Sequence, residues 1–281
     1  YGYIPQSEEF TLKSRHLGLI TPQETEYLQQ KMNILAKQME KTVQIDAILE
    51  LAQNAEELNF VPKSSNKQKQ NCCIAVAKDN AFCFYYEDNI QYLRQNGCNI
   101  QYFSPLHDKV LPSNIHGMIL GGGYPELYAK ELSENTSMIK SIQCEINKGL
   151  PVFAECGGFL YLHETLQDIH GKEYAMLGVI KAKAVKGERL KQFGYVTLCA
   201  QKNTLLCNKG ECIPAHEFHY WQSTNAGNTF EAVKPLSQRK WECIHSVGNV
   251  FGGFPHIHFY GNINIADNFI KLCRMQMMKS H

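Results

Sequence analysis

The sequence predicts an α/β protein: a mostly parallel sheet with helices on both faces. Three observations carry that expectation. Residues 73–77, Gly117–Leu120 and 151–154 are short, continuous apolar runs of the kind that fill strands buried on both faces. Stretches with helical spacing separate them. Gly97 and Gly149 stand just past two of those stretches, where a helix ends most cheaply.

Taken in order, residues 1–60 read as helical. Thr21-Pro22-Gln23-Glu24 has the form of a capping box with proline at the first helical position. Tyr27, Leu28, Met32, Leu35 and Met39 then recur at helical spacing, and Asp46 is a second N-cap for a helix reaching about Leu58. Residues 61–71, polar and without period, read as a linker. Beyond it a strand (73–77) is followed by a helix from about Glu87, strands at 100–104 and 117–120, and a helix from Thr136 to about Lys148. The strand at 151–154 leads into a helix from Gly157 to about Leu166. Shorter strands fill Tyr174 to Val250, and residues 266–278 form a closing helix.

The 281 residues suffice for one large or two modest domains. A net charge of +1 gives no field drawing the chain to nucleic acid or an anionic membrane, and no apolar run approaches the length of a membrane span. The opening YGYIPQSEEF has no signal-peptide character and no starting Met, the mark of a truncated or processed chain. With eleven cysteines and no export signal, the expectation is a reducing cytoplasm, mostly buried thiols and no disulfide framework. No C-x-x-C pair occurs and no metal site is expected.

The sharpest local signal is PVFAECGGFLYL. A buried strand ends at Ala154, Cys156 follows, and Gly157 and Gly158 open a helix, which is the layout of a nucleophile elbow with cysteine in place of serine. The turn sets the thiol at a helix N-terminus, which favours thiolate, and aims the Gly157 N–H at an oxyanion. The competing reading is a buried cysteine beside a glycine-softened turn. Gly121-Gly122-Gly123 after a buried strand supplies the rest of an oxyanion hole, or is merely a flexible turn; no Gly-Lys-Ser/Thr follows, and Pro125 removes a donor from any phosphate cradle. A cysteine nucleophile needs a base distant in sequence. In GGFPHIHFY, His256 is the candidate, with His258 facing the same way to orient it or to contact substrate. In PAHEFHYW, alternation puts His216, Phe218 and Tyr220 on one face and Glu217, His219 and Trp221 on the other, as in a binding-edge or a structural strand. H-E-F-H is one residue short of a helical zinc motif.

ILGGGYPELYAKEL, FAECGGFLYL, AHEFHYW and FPHIHF, in this order, resemble the C-terminal half of the cobyrinate a,c-diamide synthase family. IAVAKDNAFCFYYEDNIQYLRQNG with FSPLHDKVLP looks like the start of its glutamine amidotransferase domain, and YGYIPQSEEFTLKSRHLGL like the tail of its synthetase domain. The resemblance implies a class I, triad-type glutamine amidotransferase fold over 72–281, preceded by a helical remnant of the ATP-binding domain (1–60). It implies Cys156 as nucleophile, His256 as base, and Gly122, Gly123 and Gly157 at the oxyanion, with His258 and Glu217 as possible supports. L-glutamine is the implied nitrogen donor and a corrinoid the acceptor. ATP and Mg2+ are then held by the synthetase domain or subunit; the amidotransferase domain itself holds no cofactor. A nickel sirohydrochlorin enzyme fits the same residues; a cysteine hydrolase or peptidase of a related elbow-bearing fold and a non-catalytic scaffold are the rivals. The position two past His256, often glutamate in related enzymes, is His258, so the orienting acid is unassigned. Lacking the phosphate loop, the chain is expected to be a fragment or a split subunit that can at most hydrolyse glutamine.

Overall fold

A computed structural model describes residues 1–15, 18–58, 72–188, 190, 192–237 and 239–279. The chain divides into two compact units, Tyr1–Ser64 and Ser65–His281. The expected linker at 61–71 lies outside the described residues.

The first unit holds helices Leu28–Thr42 and Ile45–Gln53, a 3₁₀ turn at Pro22–Glu24 and a two-stranded ribbon, Ser14–Arg15 with Gly18–Leu19. The capping box does not launch the long helix as the sequence led us to expect. The Thr21 hydroxyl donates to the Glu24 carboxylate at 2.5 Å instead of capping a backbone N–H, and Tyr27, at φ 55°, separates that turn from the helix. Asp46 lies inside the first turn of the second helix, with Gln44 at its N-cap, and that helix stops at Gln53 rather than near Leu58. Neither helix contains a buried residue.

The second unit is built on a six-stranded sheet in the order His245–Val247, Val250–Gly253, Val152–Glu155, Gly117–Leu120, Cys72–Ala77, Cys98–Phe103. All neighbours are parallel except the first pair. Period-2 alternation divides the core: Cys73, Ala75, Met118, Leu120, Val152 and Ala154 fill one side of the sheet, and Cys72, Ile74, Val76, Ile119 and Phe153 the other. On the first side pack Met138, Ile142 and Ile146 of helix Thr136–Asn147. On the second pack Ile90 and Leu93 of helix Glu87–Gln95, Ile265, Phe269 and Cys273 of helix Ile263–Lys279, and an antiparallel sheet. That sheet runs Lys240–Cys243, Phe230–Val233, Gln192–Ala200, Cys212–His219, His256–Ile257.

Two expectations are corrected here. The helix opening at Gly157 ends at Tyr161, and His163–Gln167 is a strand of a third sheet. The carbonyls of Tyr161, Leu162 and His163, which a longer helix would need, accept instead from the N–H groups of Leu177, Ile180 and Gly178. The second correction is a disulfide, Cys199–Cys212. Antiparallel register sets these two residues opposite one another with Cα atoms 4.2 Å apart, a pairing that 13 residues of sequence separation do not reveal. Of the nine free cysteines seven are buried, as small apolar side chains would be.

Candidate functional site

The C-terminal ends of the parallel strands converge where doubly wound sheets bind their ligands. Strand Val152–Glu155 turns sharply into the five-residue helix Gly157–Tyr161, and Cys156 makes the turn at φ 46°, ψ −102°. A non-glycine residue in that conformation is strained and persists only where its surroundings over-determine it. The Cys156 N–H donates to Gly253 O at 2.8 Å, its carbonyl accepts from Leu160 N at 2.9 Å, and Gly158 N donates to Gly121 O at 2.8 Å. Gly158 is irreplaceable on steric grounds, since a Cβ there would stand 2.0 Å from Leu120 O.

The glycine segment packs against this turn. A Cβ on Gly157 would lie 3.0 Å from Gly123 N, so the expected oxyanion residues are neighbours. Gly122 faces the imidazole: a Cβ there would be 2.6 Å from His256 Cε1. The segment is not a phosphate cradle. Gly121 N–H donates to Tyr85 Oη at 3.0 Å, Tyr124 N–H to Ala81 O at 3.0 Å, and Pro125 has none, so these amides are not turned to a nucleotide.

His256 opens the two-residue strand that pairs with the Cys212–His219 strand, opposite His216. Its Nδ1 lies 3.9 Å from Glu155 Oε2, and the other oxygen of that carboxylate, Oε1, accepts from Ile257 N at 2.7 Å. Asn89 clamps the next residues, donating to Ile257 O and accepting from Phe259 N, both at 2.8 Å. His258 turns elsewhere. Its Nε2 is 3.2 Å from Asp88 Oδ2 and its ring stands edge-on to Tyr86, so the structure does not bring it to Glu155 or Gly122.

Glu217 is buried on the inner face of its strand, as alternation predicts, with Oε1 2.8 Å from His219 Nε2. His219 Nδ1 is 2.6 Å from Trp221 O, and the ring stacks on Phe254 with centroids 3.8 Å apart. Both ring nitrogens therefore face oxygen atoms.

Electrostatically the site departs from the expected thiolate. Burial, then the nearby Glu126 carboxylate, hold the Cys156 thiol well above its ordinary range; the Gly157 N–H acts against this, and Glu155 and Glu217 add to it by less. Burial lowers His256 to about 4, with His216 and His219 contributing. Burial also pushes Glu155 up to about 8 against the Ile257 N–H bond. The raised thiol and the lowered imidazole both favour their neutral forms, as general-base deprotonation during attack requires, rather than a preformed ion pair.

Sequence reasoning missed Glu155, Glu126 and Asn89. A signal for Glu155 existed: period 2 puts it on the same face as Phe153, a charge ending an otherwise apolar strand. Among the described residues no group of three His, Cys, Asp or Glu is arranged to hold a metal ion, and no helix is long and apolar enough to cross a membrane.

A profile described as the CobB/CobQ-like glutamine amidotransferase domain matches residues 73–263. A cobyrinate a,c-diamide synthase of Caldanaerobacter subterraneus subsp. tengcongensis is 37% identical over 278 residues, which cover 97% of this chain and 61% of that protein. One of Salmonella typhimurium is 39% identical over 283 residues, again 97% and 61%. The chain therefore spans about three fifths of these relatives' length. In fold it is similar to a solved Thermoplasma acidophilum protein, a candidate component of GMP synthase, at 18% identity and TM-score 0.50, covering 75% of this chain and 98% of the other.

Proposed function

Because the chain belongs to the CobB/CobQ-like glutamine amidotransferase family, we propose that it is the glutamine-hydrolysing part of a cobyrinate a,c-diamide synthase. Residues 72–281 are the amidotransferase domain, 61–71 a linker, and 1–60 the tail of a synthetase domain. The absence of buried residues from the two helices of the first unit fits a segment that does not form a core alone. The synthetase part binds ATP and Mg2+, activates acetate side chains of a corrinoid, and receives ammonia, all in the cytoplasm. None of the described residues is assigned to ATP.

The observation that carries the reading is the strained Cys156 at a strand-to-helix turn, on the sheet edge where His256 lies over Gly122. Cys156 Sγ attacks the side-chain amide carbon of glutamine as His256 takes its proton. Backbone N–H groups at Gly122, Gly123 and Gly157 hold the oxyanion. His256 returns the proton to the departing ammonia, and water cleaves the glutamyl thioester, releasing glutamate. Burial and then the Glu126 carboxylate hold the thiol high, so a substrate carrying an ammonium group suits this field better than a neutral ester or an acylated peptide does. This supports an amino-acid amide over the hydrolase alternatives.

The test is carried out in the full-length protein. Cys156→Ala is expected to abolish glutamine-dependent amidation and glutamate release while sparing amidation with added ammonium salt. Loss of both activities, or turnover of peptides and esters by the parent at rates matching glutamine, overturns the assignment.

A further inference from the structure

We propose that Glu155, the residue immediately before the nucleophile, is the positioning acid that sets the tautomer of His256. The assignment rests on the reading of Cys156 and His256 as the glutaminase pair. Strand alternation turns Glu155 toward the side of the sheet on which the His256–Ile257 strand packs, and its carboxylate reaches the base segment twice. Oε1 accepts from Ile257 N at 2.7 Å, and Oε2 stands 3.9 Å from His256 Nδ1. The carboxylate is only 10% exposed, and no Lys or Arg is among the groups that act on it. A buried carboxylate without a cation is costly, and such costs concentrate at working sites.

The other acids near the thiol are placed differently. Glu217 is engaged by His219, Asp88 faces His258 across an exposed contact, and Glu155 is the carboxylate within 4 Å of His256 among the described residues. Around the ring, Cε1 lies against Gly122, His216 and His219 approach from the Cys212–His219 strand, and Nδ1 faces Glu155. Tyr85, Tyr86 and Cys156 are the remaining titratable groups near the carboxylate. With Nδ1–H directed to Glu155, Nε2 is the nitrogen free to take the thiol proton. Above about pH 8, where Glu155 is ionised, the imidazolium formed when that proton arrives meets a carboxylate, and the 3.9 Å gap closes to hydrogen-bond length, as loose resting geometry does in a reacting complex.

Glu155→Gln is the discriminating variant. Its carbonyl oxygen still accepts from Ile257 N, so the fold is retained, but its NH2 donates to Nδ1 and favours the opposite tautomer. On the purified chain at pH 9, where Glu155 is ionised, we expect the 15N–1H correlations of His256 to move from the Nδ1–H to the Nε2–H pattern. Labelling of Cys156 by a glutamine-mimicking electrophile should slow about a hundredfold or more, as when an orienting acid is made an amide elsewhere. In the full-length protein kcat for glutamine should fall in parallel while KM moves less than about threefold. Glu155→Asp, with the charge kept one methylene short, should recover part of the labelling rate. An unchanged tautomer together with labelling within about threefold of the parent refutes the assignment, as does a rise in KM at constant kcat. A parent chain that is not labelled at Cys156 overturns the glutaminase reading itself. A variant that is labelled slowly with its tautomer unchanged refutes the positioning role alone.

Discussion

The N–H of Ile257 donates to the carboxylate of Glu155 at 2.7 Å, across 102 residues of chain. This bond joins the residue before Cys156 to the residue after His256. Cys156 and His256 are therefore held by the same pair of strand ends. Perturbing the shared scaffold should alter reactivity before it unfolds the chain.

Gly158→Ala tests the scaffold at its tightest point. The added Cβ would meet Leu120 O at 2.0 Å, inside the core of the parallel sheet, so backbone must move. We expect a loss of roughly 3 kcal/mol or more in denaturant unfolding, in the range of severe overpacking, and no labelling of Cys156. A variant with the parent's midpoint and reactivity contradicts the turn geometry.

Asn89→Ala leaves two backbone groups, Ile257 O and Phe259 N, without their partner. Each lost bond costs about 1–3 kcal/mol when the group stays buried. Because His256 is adjacent, kcat should fall more than stability alone explains, with KM nearly unchanged. Asn89→Asp keeps the acceptor for Phe259 N but sets an oxygen against Ile257 O. It should therefore recover little in either measurement.

The glutaminase rate should rise with pH toward the alkaline side. His256, lowered to about 4, is neutral through the physiological range, whereas Glu155, pushed up to about 8 by burial, becomes a carboxylate only as pH passes that value. The stability effect has the opposite sign. A carboxyl whose folded value is raised contributes most below its unfolded value of about 4.3, and that contribution is lost as pH rises through about 8. Thermal melts of Glu155→Gln and the parent, compared at pH 5 and pH 9, should show the variant gaining relative stability at the higher pH while it loses activity. A constant difference between the two melts would contradict a buried, titrating Glu155.

The Glu217–His219 pair makes a prediction about coupling. Removing either partner by substitution to alanine strands the other in a buried setting and should cost about 3–5 kcal/mol. The double variant should cost less than the sum of the singles, read from a denaturant cycle. Additive losses would mean that the 2.8 Å contact between the two side chains carries no coupling energy.

Much of the candidate site's backbone geometry was legible because its signals are local. An apolar strand followed by Cys156, Gly157 and Gly158 fixes a tight turn wherever it occurs, and three glycines after Leu120 mark a close backbone approach. The six residues from His216 to Trp221 alternate in burial as the sequence pattern requires. What failed was also physical. The helix from Gly157 was read too long because its end is dictated by N–H groups of residues 177–180, which no local pattern announces. Cys199 and Cys212 meet only through antiparallel register.

By itself the sequence determined the parallel core, the turn at Cys156 and the glycine segment packed against it, because periodicity and steric demand are written in neighbouring residues. Tertiary structure decided which acid meets His256, which of His256 and His258 turns inward, and the charge state of the resting thiol. Those depend on strand order, register and burial, and so on residues up to about a hundred positions apart brought within a few ångströms.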